Sequence, residues 1–197
     1  MRRALLVVDA QESFRQRPNW AVVSQPRIAE QIGVLVDAAR AAGDLVVWVL
    51  HTEPGTGTVF DPALGHVRLL DGLARHADEP LLTKTVHNPF TGTNLQHLLT
   101  VDGVRELTVC GIRTEQCCET TTRVGSDLGY DMTFVTDATA THPIPHRDRG
   151  LREDHTVEEL FADPRTLRVE EIIERTEYAL AGRFATIATV AEVTAVR

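Results

Sequence analysis

The sequence predicts an α/β fold, a three-layer α/β/α sandwich around a six-stranded, mainly parallel sheet with strand order 3-2-1-4-5-6. Three observations predict it. Short apolar runs typical of buried parallel strands recur along the chain, and segments with helical apolar spacing lie between most of them. The length of 197 residues suits one domain that buries its own core, spanning residues 1–197.

Six apolar runs are the candidate strands. The first, ALLVV, ends directly before Asp9, and the third, LLT, ends directly before Lys84. Because the carboxyl ends of parallel strands share one edge of a sheet, residues that follow these runs are expected to lie together. The six runs are residues 4–8, 45–50, 81–83, 107–110, 132–136 and 185–190.

Helical patterns fill most of the intervals. The clearest has apolar residues at helix spacing from Ile28 to Ala39, with Pro26 suited to a first turn and Gly43 to the end. Similar patterns predict helices over residues 61–76, 93–100, 117–128 and 172–183.

Two segments interrupt this alternation. Residues 51–65 form a Gly- and Pro-rich loop after the second strand, at the edge where open α/β sheets bind ligands. Residues 141–164 are rich in charge, proline and histidine. This second segment is expected to be an insertion that serves as a lid or as an oligomer contact.

Charge and apolar content exclude several classes of partner. The net charge of −8 and the absence of a basic run disfavour nucleic acid. No stretch approaches the roughly 20 apolar residues of a membrane span, and the first apolar run is too short for a secretion signal. We therefore expect a cytoplasmic protein that acts on a small molecule, with its three cysteines reduced.

Asp9, Lys84 and Cys117 each follow a predicted strand and form a chemically coherent set. A carboxylate takes the thiol proton, the thiolate attacks a carbonyl, and an ammonium stabilises both negative charges. Cys117 lies at a predicted helix start, which is expected to lower its thiol pKa. The backbone N–H groups there can also stabilise an oxyanion.

Each residue also has an ordinary structural interpretation. Asp9 can cap a turn, Lys84 can be a solvated surface lysine, and a cysteine beside a strand is usually a small buried hydrophobe. Cys110 and Cys118 are given that buried role. The shared position at strand ends distinguishes Asp9, Lys84 and Cys117.

Three motifs resemble the isochorismatase-like cysteine hydrolases, the superfamily that includes nicotinamidase and N-carbamoylsarcosine amidohydrolase. They are ALLVVDAQESF at residues 4–14, the TK at residues 83–84, and GIRTEQCCETTTR followed by GYDMTFVTDA up to Ala138. They occur in the family's order and spacing and cover about residues 4–138. The resemblance implies an Asp9, Lys84 and Cys117 catalytic triad, no cofactor, and a homo-oligomer, either a dimer or a tetramer.

The resemblance also implies details around the nucleophile. It predicts a cis peptide bond between Ile112 and Arg113, and an oxyanion hole formed by the backbone N–H groups of Arg113 and Cys117. Relatives place an apolar residue after the nucleophile and a threonine four positions beyond it. Cys118 and Thr121 occupy these places, so the resemblance selects Cys117.

The sequence departs from the nicotinamidases at their metal site. Those enzymes carry one Asp and two His shortly after the second strand, where this chain offers only His51 and Glu53. His142 and His146 have a spacing that binds zinc on a helix, but the prolines between them forbid that helix. We therefore expect no catalytic metal.

Polar and aromatic residues near the triad are candidates for a substrate pocket, although each also has an interpretation in packing or solvation. The side chain of Arg113 either binds a substrate carboxylate or pairs with Glu115 at the surface. The candidate pocket residues are Gln11, Phe14, Trp20, His87, Asn88 and Phe90.

The predicted activity is that of a metal-independent cysteine hydrolase that cleaves an amide, ureido or similar C–N bond through a thioester on Cys117. One alternative is a vinyl ether hydrolase of the isochorismatase type, with Asp9 as the acid. Another is a catalytically silent protein that binds small molecules or serves in assembly.

Overall fold

The computed structural model describes residues 2–149 and 155–195. Six strands form one sheet in the order β3-β2-β1-β4-β5-β6, and every neighbouring pair is parallel. The predicted strand order is therefore confirmed. The strands are β1 (Arg2–Val8), β2 (Leu45–His51), β3 (Leu81–Lys84), β4 (Val104–Ile112), β5 (Asp131–Ala140) and β6 (Thr186–Ala188).

Helices cover both faces of this sheet, as the three-layer prediction requires. Apolar residues of α1 and α6 pack on one face. Those of α2, of the turn at residues 114–118 and of α5 pack on the other. The central strand β1 alternates between the two cores, with Leu5 and Val7 in the first and Leu6 and Val8 in the second. The helices are α1 (Ile28–Ala41), α2 (Leu95–Val101), α3 (Glu119–Asp127), α4 (Val157–Ala162), α5 (Val169–Leu180) and α6 (Val190–Ala195).

The helix predicted for residues 61–76 is wrong. Only a short 3-10 turn, Pro62–Leu64, forms there, and Gly65 and Gly72 then adopt positive φ angles of 76° and 97°. These angles are incompatible with a right-handed helix. Leu70 is buried in the core, so its side chain packs there although its backbone is not helical.

The last predicted strand is also shorter than expected. The pattern predicts a strand over residues 185–190, whereas β6 comprises Thr186–Ala188. Val190 instead begins α6, which the sequence analysis did not predict, and its amide donates to the side chain of Asp137.

The register of the central strands places the candidate catalytic residues at one edge of the sheet. Val8 pairs with Val49 of β2 and with Gly111 of β4, and His51 pairs with Lys84. A Cβ on Gly111 would lie 1.8 Å from the carbonyl oxygen of Val8, so only glycine permits this approach. The close approach places the end of β1 beside the turn that carries the nucleophile candidate.

The segment of residues 141–164 is partly described. Ile144 and Leu167 form an antiparallel bridge, and α4 contacts the 3-10 turn Pro18–Val22. Residues 150–154 lie outside the described residues, and the role of this segment as a lid or oligomer contact stays a prediction. Among the described residues, no helix is both long enough and apolar enough to span a membrane.

Candidate active site

Asp9 and Lys84 meet in the interior of the protein at the carboxyl edge of the sheet. Lys84 Nζ donates to Asp9 Oδ2 over 2.6 Å, and neither side chain is exposed. Asp9 follows β1 with a φ of 52°, a conformation that Asp tolerates better than most residues. Its amide donates to the carbonyl of Val49, which anchors Asp9 between β1 and β2.

Cys117 completes the group. Lys84 Nζ lies 3.6 Å from Cys117 Sγ, so the ammonium contacts both the carboxylate and the thiol. The structure therefore brings together the three residues that the sequence placed after separate strands. Lys84 is 2% exposed, so the interpretation of a solvated surface lysine does not apply.

The nucleophile candidate lies in a π-helical turn, Thr114–Cys118, that precedes α3. The carbonyl of Arg113 accepts from the amides of both Gln116 and Cys118, the residues on either side of Cys117. The hydroxyl of Thr121 donates to the carbonyl of Cys117, which ties the turn to α3. Turns of this type often occur at functional sites.

The expectation of a lowered thiol pKa is wrong for the resting protein. Burial raises the pKa of Cys117 well above its ordinary value, and the charge of Asp9 raises it further, while Lys84 opposes both. Burial likewise raises the pKa of Asp9, and the charge and hydrogen bond of Lys84 only partly offset this. Desolvation of the buried sulfur is the largest cause of the shift, so the site favours the protonated thiol of Cys117.

The peptide bond between Ile112 and Arg113 is cis. The side chain of Arg113 turns inward: its Nη2 lies 3.0 Å from Glu115 Oε1, with 8% and 9% of the two side chains exposed. The same nitrogen donates to the carbonyl of His142 over 3.5 Å. Arg113 and Glu115 thus form a buried pair rather than a surface pair.

The thiol and carboxylate open into a cavity of about 100 Å³. This volume is small beside the roughly 300–1,000 Å³ of pockets that bury drug-sized ligands. The lining residues are Asp9, Phe14, Arg17, His51, Glu53, Phe60, His87, Arg113, Gln116 and Cys117.

Of the candidate pocket residues, Phe14 and His87 line this cavity. Gln11 is buried beside it, where its side chain bridges to the backbone of His51. Asn88 accepts from the amide of Thr91 within its own loop. These two polar side chains therefore shape loops around the cavity.

The two remaining candidates lie elsewhere. Phe90 stacks on Tyr130, with ring centroids 5.9 Å apart, in the core on the other side of the sheet from α1. Trp20 packs edge-on against His142 and lines a separate groove of about 520 Å³ beside α1. Neither residue lines the cavity that contains Cys117.

Several residues that line the cavity have no pocket role predicted from the sequence. Arg17, Phe60 and Gln116 carry no prediction, and the only role weighed for His51 and Glu53 is that of metal ligands. The available signal was position, because His51 ends β2 and Glu53 and Phe60 follow in the loop at the carboxyl edge. Such loops supply ligand-binding residues in open α/β sheets.

His51 and Glu53 are the candidate metal ligands after the second strand. The two side chains pair with each other, with 3.3 Å between His51 Nε2 and Glu53 Oε1. Within residues 2–149 and 155–195, no group of three or more His, Cys, Asp or Glu side chains could hold a metal ion. His142 packs near Trp20, while His146 pairs with Asp148, so these two histidines do not form a ligand pair.

The neighbouring cysteines differ from Cys117 in environment. Cys118 and Cys110 are 0% exposed and belong to opposite cores. Burial also raises the pKa of Cys118 well above its ordinary value. Both have the small apolar role expected from the sequence, and neither lines the cavity.

Comparisons with known proteins agree with this fold. A family model described as the isochorismatase domain matches residues 3–167. Streptothricin hydrolase of Streptomyces noursei is 36% identical over 143 residues, which cover 73% of this chain and 51% of that protein. The chain thus spans about half the length of that relative.

Two further relatives cover more of their own length. Ureidoacrylate amidohydrolase RutB of Enterobacter sp. (strain 638) is 30% identical over 171 residues, covering 69% of this chain and 74% of that protein. The crystal structure of an isochorismatase from Pseudomonas putida KT2440 superposes with a TM-score of 0.81 at 28% identity, covering 96% and 89% of the two chains. The chain therefore belongs to the isochorismatase family of hydrolases.

Proposed function

We propose that the protein is a cysteine amidohydrolase that cleaves a small amide, ureido or similar C–N bond through a thioester on Cys117. The observation that carries this proposal is the buried contact of Lys84 Nζ with both Asp9 Oδ2 and Cys117 Sγ. The relatives named streptothricin hydrolase and ureidoacrylate amidohydrolase support a hydrolase of C–N bonds. The small cavity favours a compact acyl group.

In the first half-reaction, Asp9 takes the proton of the Cys117 thiol as the sulfur attacks the substrate carbonyl carbon. The raised pKa of Asp9 makes this carboxylate a better proton acceptor than an exposed one. The oxyanion forms beside the backbone N–H groups of Arg113 and Cys117, which we assign as its donors. The C–N bond breaks, Asp9 returns the proton to the leaving nitrogen, and an amine or ammonia departs.

Lys84 is assigned two tasks in this reaction. Its ammonium fixes the orientation of Asp9, and it stabilises the negative charge that passes from the carboxylate to the sulfur. Water then hydrolyses the thioester, which releases the acid and restores the thiol. The reaction assigns no step to a metal or an organic cofactor.

The test is a screen of purified protein for ammonia or amine release from small amides, ureido acids and lactams, with Cys117→Ala beside it. A substrate that is turned over should leave an acyl adduct on Cys117 when the reaction is quenched and analysed by mass spectrometry. Turnover by Cys117→Ala at the wild-type rate, or an adduct on Cys118, would contradict the proposal.

A vinyl ether hydrolase is the second candidate. The observation that favours it is the raised pKa of Asp9, because a carboxyl group that retains its proton can act as an acid. In that reaction Cys117 is dispensable and Asp9 is essential. Isochorismate turnover that survives Cys117→Ala and is lost in Asp9→Asn would select this candidate.

A further inference from the structure

Arg17 contributes a cation to the wall of the cavity that contains Cys117. Its guanidinium carbon lies over the Phe60 ring, 4.7 Å from the ring centroid, and Phe60 lines the same cavity. The reaction proposed above gives Arg17 no task. A cation held at the cavity of the candidate nucleophile is therefore a candidate for substrate recognition.

Aromatic contacts fix the position of the Arg17 side chain. The Phe60 ring beneath it packs edge-on against Phe14 and His51, with centroids 5.1 and 5.3 Å away. Arg17 itself is only partly buried, so part of its surface is accessible to a bound molecule. A side chain held in this way loses little conformational freedom when it binds an anion.

Two other charges of the cavity wall belong to close ion pairs. The Asp9 carboxylate lies 2.6 Å from Lys84 Nζ, and Arg113 Nη2 lies 3.0 Å from Glu115 Oε1. Each pair joins one positive and one negative group. Neither pair therefore gives the cavity a net charge.

Glu53 is the other acid that lines the cavity. Burial would raise its pKa, but the hydrogen bonds of Thr58 and His51 and the charges of His51 and Arg17 outweigh this and lower the pKa. Thr58 Oγ1 donates to Glu53 Oε2 over 2.7 Å, so the carboxylate is bound within its own loop. The positive charge of Arg17 thus acts on this part of the wall, while Glu53 opposes it.

Resting on the proposed function, we propose that Arg17 binds a carboxylate of the substrate, which is therefore a small acid that also carries the C–N bond to be cleaved. The planar guanidinium donates two parallel hydrogen bonds to the two carboxylate oxygens. Cys117 and Arg17 line one cavity, so the reacting carbonyl and the carboxylate lie in the same molecule a short distance apart. The carboxylate belongs either to the acyl side, as in a monoamide of a dicarboxylic acid, or to the leaving side, as in a ureido acid.

The experiment measures binding to Cys117→Ala, which keeps the cavity and lacks the proposed nucleophile. Isothermal titration calorimetry compares succinamate with succinamide, and N-carbamoylglycine with N-carbamoylglycinamide. Within each pair, only the carboxylate is exchanged for a neutral carboxamide. We expect the acid to bind roughly 10- to 100-fold more tightly in one pair, as for a hydrogen bond to a charged group. That pair identifies the side of the C–N bond on which the carboxylate lies.

Further variants in the Cys117→Ala background test the charge of Arg17. Arg17→Gln should abolish the preference for the acid, and Arg17→Lys should retain part of it, because an ammonium keeps the charge without the planar fork. Glu53→Gln should increase the preference, since it removes a like charge. Arg15→Gln is the matched control and should change nothing: Arg15 pairs with Glu12 and lines the groove beside α1.

The outcomes separate a binding role from a structural one. Opposite shifts in Arg17→Gln and Glu53→Gln support the proposal, because a damaged fold would weaken binding of the acid and the amide alike. Equal affinities within both pairs, binding of none of the four compounds, or a preference that survives Arg17→Gln overturns it.

Ammonia release by the protein with Cys117 intact tests the proposed function separately. Acids that bind through Arg17 and are not hydrolysed would contradict the proposed function and leave the carboxylate site standing. Hydrolysis that depends on Cys117 but shows no preference for acids over their neutral counterparts would contradict the carboxylate site alone.

Discussion

Lys84 and Asp9 form an ion pair in which both side chains are 0% exposed, with 2.6 Å between Nζ and Oδ2. Taking both charges out of water is costly, and their attraction and hydrogen bond must offset that cost. A pair of this kind is weak evidence for stability alone. Its position beside Cys117 accords with the catalytic role proposed for it.

Removing one member of this pair should destabilise the fold and abolish activity. Lys84→Met leaves the Asp9 carboxylate buried without its cation, and we expect the free energy of unfolding to fall by about 3–5 kcal/mol. The double variant Asp9→Asn/Lys84→Met should recover part of that loss, because no charge remains uncompensated. Urea unfolding of the three proteins measures this, and equal losses in the single and double variants would contradict it.

Substitution by alanine should distinguish the roles of the adjacent Cys117 and Cys118. Cys117→Ala should eliminate turnover of any substrate found in the amide screen while it leaves the far-ultraviolet circular dichroism spectrum unchanged. Cys118→Ala should retain turnover and lower the free energy of unfolding by about 1 kcal/mol, as for a small core deletion. Loss of turnover in Cys118→Ala with an intact fold would contradict the assignment.

The pH dependence of kcat/KM should follow the ionisation of Asp9. Asp9 must be ionised to accept the thiol proton, and burial raises its pKa above 3.8. We therefore expect kcat/KM to fall on the acid side with an apparent pKa above 3.8. A rate that stays level down to pH 4 would contradict the role of Asp9 as base.

The raised pKa of Asp9 also makes the free energy of unfolding depend on pH. The folded state holds the Asp9 proton more tightly than the unfolded state, whose pKa is 3.8. The stability that Asp9 contributes is therefore fully present below pH 3.8 and is lost as the pH rises through the pKa of Asp9 in the folded protein. Asp9→Asn removes this dependence, which pH-resolved urea unfolding detects.

His142 should make the fold sensitive to acid. Burial lowers its pKa from 6.5 to about 3, and the charges of Arg113 and Arg17 add to this. Between these values the unfolded chain binds a proton that the folded protein does not, so stability falls as the pH falls. Relative to His142→Phe, the wild-type protein should lose about 2 kcal/mol between pH 7.5 and pH 5. A constant difference between the two proteins over that range would contradict the prediction.

Gly111 should tolerate no side chain. A Cβ there would lie 1.8 Å from the carbonyl oxygen of Val8, at a φ of +132°. We expect Gly111→Ala to lower the free energy of unfolding by about 4 kcal/mol or more. Gly103→Ala is the matched control, since Gly103 also has a positive φ of 68° but nothing within 4 Å of its Cβ position. Similar losses in the two variants would mean that backbone strain, and not the contact with Val8, sets the cost.

The sequence predicts the sheet and the location of the triad for one physical reason. Buried parallel strands require continuous apolar runs, and the polar residues that end such runs collect at one edge. Asp9 and Lys84 are identifiable on this basis because each directly follows its run. The strand order is one of the common orders of open α/β sheets, and the family resemblance selects Cys117 over Cys118.

The departures from prediction also have physical causes. The apolar spacing of residues 61–76 reflects contacts such as that of Leu70 with the core, and the glycine angles that break the helix depend on the surrounding structure. The pKa of Cys117 follows from burial, which one sequence does not reveal. The His51 and Glu53 pair likewise depends on how the loop after β2 folds back over its own strand.

The raised pKa of Cys117 has a consequence for the chemical resilience of the protein. Peroxides and alkylating agents attack thiolates far faster than thiols, and Cys117 is 7% exposed. A buried sulfur that keeps its proton therefore reacts slowly with such reagents in the resting protein. If Cys117 is the nucleophile proposed above, this protection lasts until Asp9 takes the thiol proton.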